Sequence, residues 1–125
     1  MVEAARAVSN NKTAVVIGGG MGRTAETQEA ILEFLSLVNS PLVIDADAIH
    51  AVGKRPEVIT GKNFLITPHT YEFFVLTGKK IIGLPKEEKI KIVQEEAARL
   101  GATILMKEPT DIISDGKEVA SNKTG

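Results

Sequence analysis

Four short segments hold residues whose types and spacing could do chemistry. The first is Gly18-Gly19-Gly20-Met21-Gly22. Glycines let a backbone turn sharply and let its N–H groups come close to a phosphate. The segment is neither a dinucleotide fingerprint, because Arg23 stands where the third glycine belongs, nor a P-loop, because no Gly-Lys-Ser/Thr follows. Its alternative reading is a tight turn without a ligand. The second is Asp45-Ala46-Asp47, whose two carboxylates could hold a divalent ion through water or bind a sugar hydroxyl. The alternative is a pair of helix caps. The third is Thr67-Pro68-His69-Thr70-Tyr71-Glu72. His69 and Glu72 are three apart at a helix start and share a side, so the histidine could donate to an anionic ligand or be incidental to a capped helix. The fourth runs from Met106 through Lys107, Glu108, Pro109 and Thr110 to Asp111. A lysine at a strand end suits a phosphate as a point charge on a flexible stem, or it is an ordinary surface lysine.

The elements that must position these segments follow from periodicity. Ala14 to Ile17 is a short apolar run closed by glycines, the pattern of a strand buried on both faces. Thr24 is a candidate N-cap, Glu26 suits the first turn, and Ile31, Leu35 and Val38 give a helix over 25–38. Leu42 to Asp45 is a second buried strand, and a short helix over 46–52 is expected to stop at Gly53. Phe64 to Ile66 is a third strand. A helix from His69 to Leu76 ends with Gly78 at its C-terminal cap. Pro85 fits the first turn of a helix striped by Ile90, Val93, Ala97 and Leu100 and ended by Gly101. Thr103 to Met106 is a fourth strand. Asp115-Gly116, between 111–114 and 117–120, signals a hairpin with a type I′ turn. The segment 2–8 reads as a helix, and Ser121 to Gly125 as a loop.

This alternation predicts an α/β layered fold with a mainly parallel sheet flanked by helices. All four segments fall at strand ends, and in a parallel sheet they open on one edge, where ligands bind in such folds.

Composition excludes other classes. The 125 residues carry 15 Lys+Arg against 16 Asp+Glu, a net charge of −1, so no basic excess points to nucleic acid or an anionic membrane. With 43% hydrophobic and 25% charged residues the chain can fill a core. There is no cysteine, hence no disulfide, thiolate metal site or Cys nucleophile. No apolar run is long enough to span a bilayer and the start lacks a signal peptide's pattern, so the chain reads as cytoplasmic.

Taken in order, Val-Ile-Gly-Gly-Gly-Met-Gly (16–22), Asp-Ala-Asp-Ala-Ile (45–49), Thr-Pro-His-x-x-Glu (67–72), Leu-Met-Lys (105–107) and Asn-Lys-Thr-Gly (122–125) resemble the ADP/ATP-dependent NAD(P)H-hydrate dehydratases, carbohydrate-kinase-like repair enzymes of the ribokinase superfamily. The resemblance spans the chain. It implies a ribokinase-like fold, with residues 1–125 as the central part of one nucleotide-binding domain, incomplete at both ends. It implies a lyase that restores hydrated NADH or NADPH: ADP or ATP, with Mg2+, phosphorylates the new ring hydroxyl, and phosphate, a far better leaving group than hydroxide, is then eliminated. By position, Gly18, Gly19, Gly20, Gly22 and His69 would bind the hydrated dinucleotide. Lys107, Glu108, Pro109, Thr110 and Asp111 would grip the adenine nucleotide. Glu72 would order its loop, and a homo-oligomer is implied.

Two departures stand out: Gly19 where the family has proline, and Glu108 where it has glycine after the lysine. A carboxylate beside a phosphate is unfavourable unless its side chain points away. The family's Gly-Thr-Gly-Asp motif, which carries the catalytic base, is absent, so the catalytic residues are expected outside these 125. No metal ligand is assigned. The rival readings are a small-molecule kinase of the same superfamily, of the hydroxyethylthiazole-kinase type, and a non-catalytic nucleotide-binding module.

Overall fold

Three apolar triplets, Val15–Ile17 (β1), Leu42–Ile44 (β2) and Phe64–Ile66 (β3), form parallel strands in the computed structural model, which describes residues 15–107 and 111–122. Thr103–Met106 (β4) joins β3 in parallel, and Asp111–Ser114 (β5) and Val119–Asn122 (β6) add antiparallel strands. The six strands lie in sequence order, β1 to β6. Between them come α1 (Ala25–Leu37), α2 (Asp47–Lys54), a 3-10 turn (Pro56–Ile59), α3 (Thr70–Thr77) and α4 (Lys86–Leu100). The α/β layered architecture expected from the pattern is therefore present, with its parallel part in β1–β4.

One core holds the layers together. Leu42, Ile44, Phe64, Ile66, Ile104, Met106 and Ile112 alternate along the strands and are buried, as the period-two pleat demands. Ile31 and Leu35 of α1, Ile49 and Val52 of α2, Phe73 of α3 and Val93 and Ala97 of α4 join the same cluster. The other sheet face is less covered. Val16 is 72% exposed and Val43 and Leu65 are half-buried, so burial on both faces does not hold for β1 among the described residues.

The helix ends follow the chemistry of the sequence. Thr24 caps α1 by accepting from the Thr27 N–H at 3.2 Å. The last turn of α1 has no basic residue, and Lys62 supplies the cation from the approach to β3. Its Nζ donates to the carbonyls of Leu35, Ser36 and Val38 at 2.8, 2.9 and 2.9 Å, where the helix dipole favours positive charge. Gly78 and Gly101 end α3 and α4 in left-handed conformations.

Three local expectations change. Gly53 does not stop α2, which runs on to Lys54. A β-carbon at Gly53 would stand 2.7 Å from the Val75 carbonyl, so the residue is there to let α2 and α3 approach. The hairpin has a four-residue loop, because Ser114 pairs with Val119. Asp115 Oδ1 accepts from the N–H groups of Lys117 and Glu118, each at 2.9 Å, and this side-chain turn replaces the two-residue type I′ turn. Ser121 and Asn122 belong to β6 rather than to a terminal loop. The helix expected over 2–8 lies outside the described residues.

Among the described glycines the closest backbone approach is at Gly18, whose φ is +139°. A β-carbon there would lie 1.6 Å from the Asp45 carbonyl oxygen. Gly18→Ala should therefore cost about 3 kcal/mol or more of stability. Gly19→Ala, with nothing within 4 Å, should stay within about 0.5 kcal/mol. Urea denaturation of the two variants checks the contrast.

Candidate functional site

Parallel pairing in register ends β1, β2 and β3 together, and the segments that follow them meet. The Asp45 N–H donates to the Ile17 carbonyl at 2.9 Å and the Asp47 N–H to the Gly18 carbonyl at 3.2 Å. The acidic segment thus continues the sheet's pairing alongside the glycine segment. Gly18 is buried in this crossing. Nothing stands within 4 Å of where a β-carbon would sit on Gly19, Gly20 or Gly22, so these three present bare backbone beside open space.

Neither aspartate acts as a side-chain helix cap. The N-cap of α2 is Ala46, with φ 48° and ψ −122° and no side-chain cap hydrogen bond. This is a left-handed φ on a residue with a β-carbon, which costs on the order of 1–3 kcal/mol and persists only where neighbours hold it. Asp45 faces the fourth segment: its Oδ1 accepts from its neighbour's Ala46 N–H at 2.9 Å and from Lys107 Nζ at 3.2 Å. Asp47 faces the first: Oδ2 accepts from the Gly22 N–H at 2.8 Å and Oδ1 from Arg23 Nε at 3.0 Å.

The third segment joins the fourth through the backbone. The Lys107 N–H donates to the Pro68 carbonyl at 2.9 Å, and His69 and Lys107 form a parallel bridge. His69 is itself the N-cap of α3. Its Nδ1 accepts from the Glu72 N–H at 3.4 Å, and Glu72 Oε1 accepts from the His69 N–H at 3.1 Å. Histidine here takes the serine or threonine place of a capping box. Its Nε2 lies 3.4 Å from Glu72 Oε2, with the ring 54% exposed and Glu72 buried. Glu72 therefore orders the loop, as expected.

The electrostatics follow from these contacts. Burial alone would raise the Asp45 carboxyl, but hydrogen bonds from Thr67, Lys107 and Ala46 outweigh it and hold the group below the ordinary carboxylate value. Asp47 is held low by the Gly22 N–H and then by Arg23. Burial, and then the Arg23 charge, push His50 of α2 below the ordinary imidazole value.

The structure thus brings Gly18 to Gly22, Asp45, Asp47, His69 and Lys107 to one edge. Asp111 begins β5, and Glu108, Pro109 and Thr110 lie outside the described residues. In the sequence Thr67 reads as part of the third segment and Arg23 only as a missing glycine, neither with a role of its own, and His50 is not singled out. Arg23 had one usable signal, its place directly after the last glycine; His50 had none, because only the fold turns it toward Arg23. For a divalent ion the fit is poor. Among the described residues no three His, Asp or Glu side chains cluster, and Asp47 already accepts through both oxygens.

The sheet, with these segments gathered on the carboxyl edge of its parallel strands, has the architecture of ribokinase-like α/β proteins. A ribokinase-like superfamily protein from Enterococcus faecalis shares the fold at TM-score 0.74 over 99% of this chain and 44% of that one, at 24% identity. The family model for NAD(P)H-hydrate dehydratases matches residues 1–125, and the chain belongs to that family. It is 36% identical over 117 residues to a bifunctional NAD(P)H-hydrate repair enzyme of Hyperthermus butylicus, covering 90% of this chain and 22% of the relative. It is 28% identical, at TM-score 0.73, to the ADP/ATP-dependent NAD(P)H-hydrate dehydratase of Bacillus subtilis co-crystallised with ATP and Mg2+, covering 90% of this chain and 39% of that one. The chain thus spans well under half the length of these relatives. No helix among the described residues is long and apolar enough to cross a membrane.

The depressed carboxyls set a pH dependence. A carboxyl whose folded pKa lies below its unfolded value, near 3.8, contributes stability that is full above the unfolded value and is lost as pH falls toward the folded one. Between pH 6 and pH 3 the urea midpoint should therefore fall more steeply for the native sequence than for the Asp45→Asn, Asp47→Asn double variant.

Proposed function

We propose that this chain supplies the substrate and nucleotide segments of a nucleotide-dependent (S)-NAD(P)H-hydrate dehydratase, which repairs hydrated NADH and NADPH. The observation that carries the reading is the junction at Lys107. Its backbone is bonded to Pro68, its bridge partner is His69, and its ammonium is on Asp45, whose carbonyl packs on Gly18. Segments from four strand ends are linked in one place. The names of the relatives support the activity and the adenine nucleotide.

In this reading the glycine backbone of 18–22 and the exposed edge of His69 receive the hydrated dinucleotide. Gly18 shapes the turn, and Gly19, Gly20 and Gly22 offer close approach. Lys107, with the segment through Asp111, takes the phosphates of ADP or ATP. Phosphoryl transfer forms a bond from the ring hydroxyl oxygen to the terminal phosphorus and breaks that phosphorus's bond to the nucleotide. The hydroxyl proton passes to a base. The ring carbon–oxygen bond then breaks with phosphate as leaving group, a proton leaves the adjacent ring carbon, and the double bond returns. Such transfers depend on positioning and charge neutralisation. Lys107 supplies the charge: a phosphate takes the place Asp45 holds on its ammonium.

Two substitutions test the division of labour in the protein that carries these residues. Charged hydrogen bonds contribute on the order of 1.5–3 kcal/mol, so Lys107→Ala should weaken ADP binding about tenfold or more by calorimetry. His69→Ala should raise the KM for hydrated NADH and leave the KM for ADP nearly constant. Unchanged ADP affinity in a folded Lys107→Ala variant would remove the nucleotide role. Equal damage to both KM values would make His69 only a cap.

A further inference from the structure

Asp47 does more than begin a helix. It touches the glycine segment at both ends. Its N–H holds the Gly18 carbonyl at 3.2 Å, and its carboxylate holds the Gly22 N–H at 2.8 Å and Arg23 Nε at 3.0 Å. Between those anchors lie Gly19, Gly20 and Met21, with nothing within 4 Å of a β-carbon position on either glycine. Glycine loses more freedom on ordering than any other residue, and this segment has four in five positions. A loop left free would meet that cost on binding, whereas a loop already held does not. The bonds also fix what the loop can offer. The Gly22 N–H is taken, so Gly22 contributes close approach and not a donor. Arg23 neutralises the carboxylate, so an anionic ligand is not repelled. Ala46, next to Asp47, has the strained φ of 48° that persists only where neighbours hold it.

We propose that Asp47 is a positioning residue: it clamps Gly18 to Gly22 in the shape that receives the hydrated dinucleotide, with Arg23 as its charge partner. This rests on reading the glycine segment as the substrate segment. The first test needs no activity. Amide exchange at Gly22, followed by NMR, should quicken about tenfold or more in Asp47→Ala and less in Asp47→Asn, whose carbonyl can still accept. The second test uses turnover in the protein that carries these residues. Asp47→Ala should raise the KM for hydrated NADH about tenfold, with kcat and the ADP KM within about twofold. Asp47→Asn should recover most of that loss, and Arg23→Gln should show a smaller rise. If Asp47→Ala fails to fold, Asp47→Asn and Arg23→Gln carry both tests. Unchanged Gly22 exchange in a folded variant overturns the clamp. Faster exchange with an unchanged KM, or equal loss in kcat and both KM values, overturns its role in binding. If the unsubstituted protein does not turn over hydrated NADH, the proposed function falls, and Gly22 exchange still decides whether the clamp exists.

Discussion

The backbone of Gly18 crosses the Asp45 carbonyl with no room for a β-carbon, and the candidate site depends on that crossing. It keeps the ends of β1 and β2 in contact past the last apolar pair, Ile17 and Ile44. Pairing then continues into the two segments themselves, through Asp45 to Ile17 and Asp47 to Gly18. Any wider separation would take the Asp47 carboxylate out of reach of Gly22 and Arg23. It would also move Asp45 away from the end of β4. The apolar core sets where the strands lie, and the crossing sets where the chemistry-bearing side chains lie relative to one another.

The edge is close to neutral in charge, residue by residue. Arg23 meets Asp47 and Lys107 meets Asp45, so each aspartate of the edge has its own cation. This differs from a phosphate cradle of unopposed cations. A pair as exposed as Lys107 and Asp45 contributes about 1 kcal/mol or less, so another anion can displace Asp45 from the lysine at little cost. The Asp47 pair is reinforced by a backbone donor and is the less exchangeable of the two. The arrangement separates a fixed half, around the glycines, from an exchangeable half at Lys107.

Much of this was legible in the sequence. Short β-branched runs and helical stripes gave the element order, Thr24, Gly78 and Gly101 marked helix ends, and the segments at strand ends pointed to one edge. What was not legible depended on three-dimensional approach. Gly53 reads as a helix stop by propensity, but close packing on Val75 places it inside α2. Asp115-Gly116 reads as a two-residue turn, while the Asp115 side chain and the Ser114 pairing make the loop longer. Asp45 and Asp47 read alike, as caps or ion ligands, because a sequence does not reveal that one carboxylate faces Lys107 and the other Gly22. His69 was legible as a helix-start residue, yet its role as the cap itself needed the reciprocal bonds with Glu72.

Lys62 carries a consequence of another kind. Its ammonium is enclosed by three carbonyls at the end of α1, and burial lowers its affinity for the proton. An amine-directed reagent needs a lone pair and a clear approach: burial eases loss of the proton and so favours the first, but the three carbonyls deny the second while they hold. Acylation of this one nitrogen is therefore gated by the opening of the α1 end and not by the reagent. Its labelling rate is a clock for local breathing between the first helix and the third strand, readable by mass spectrometry without any engineered probe.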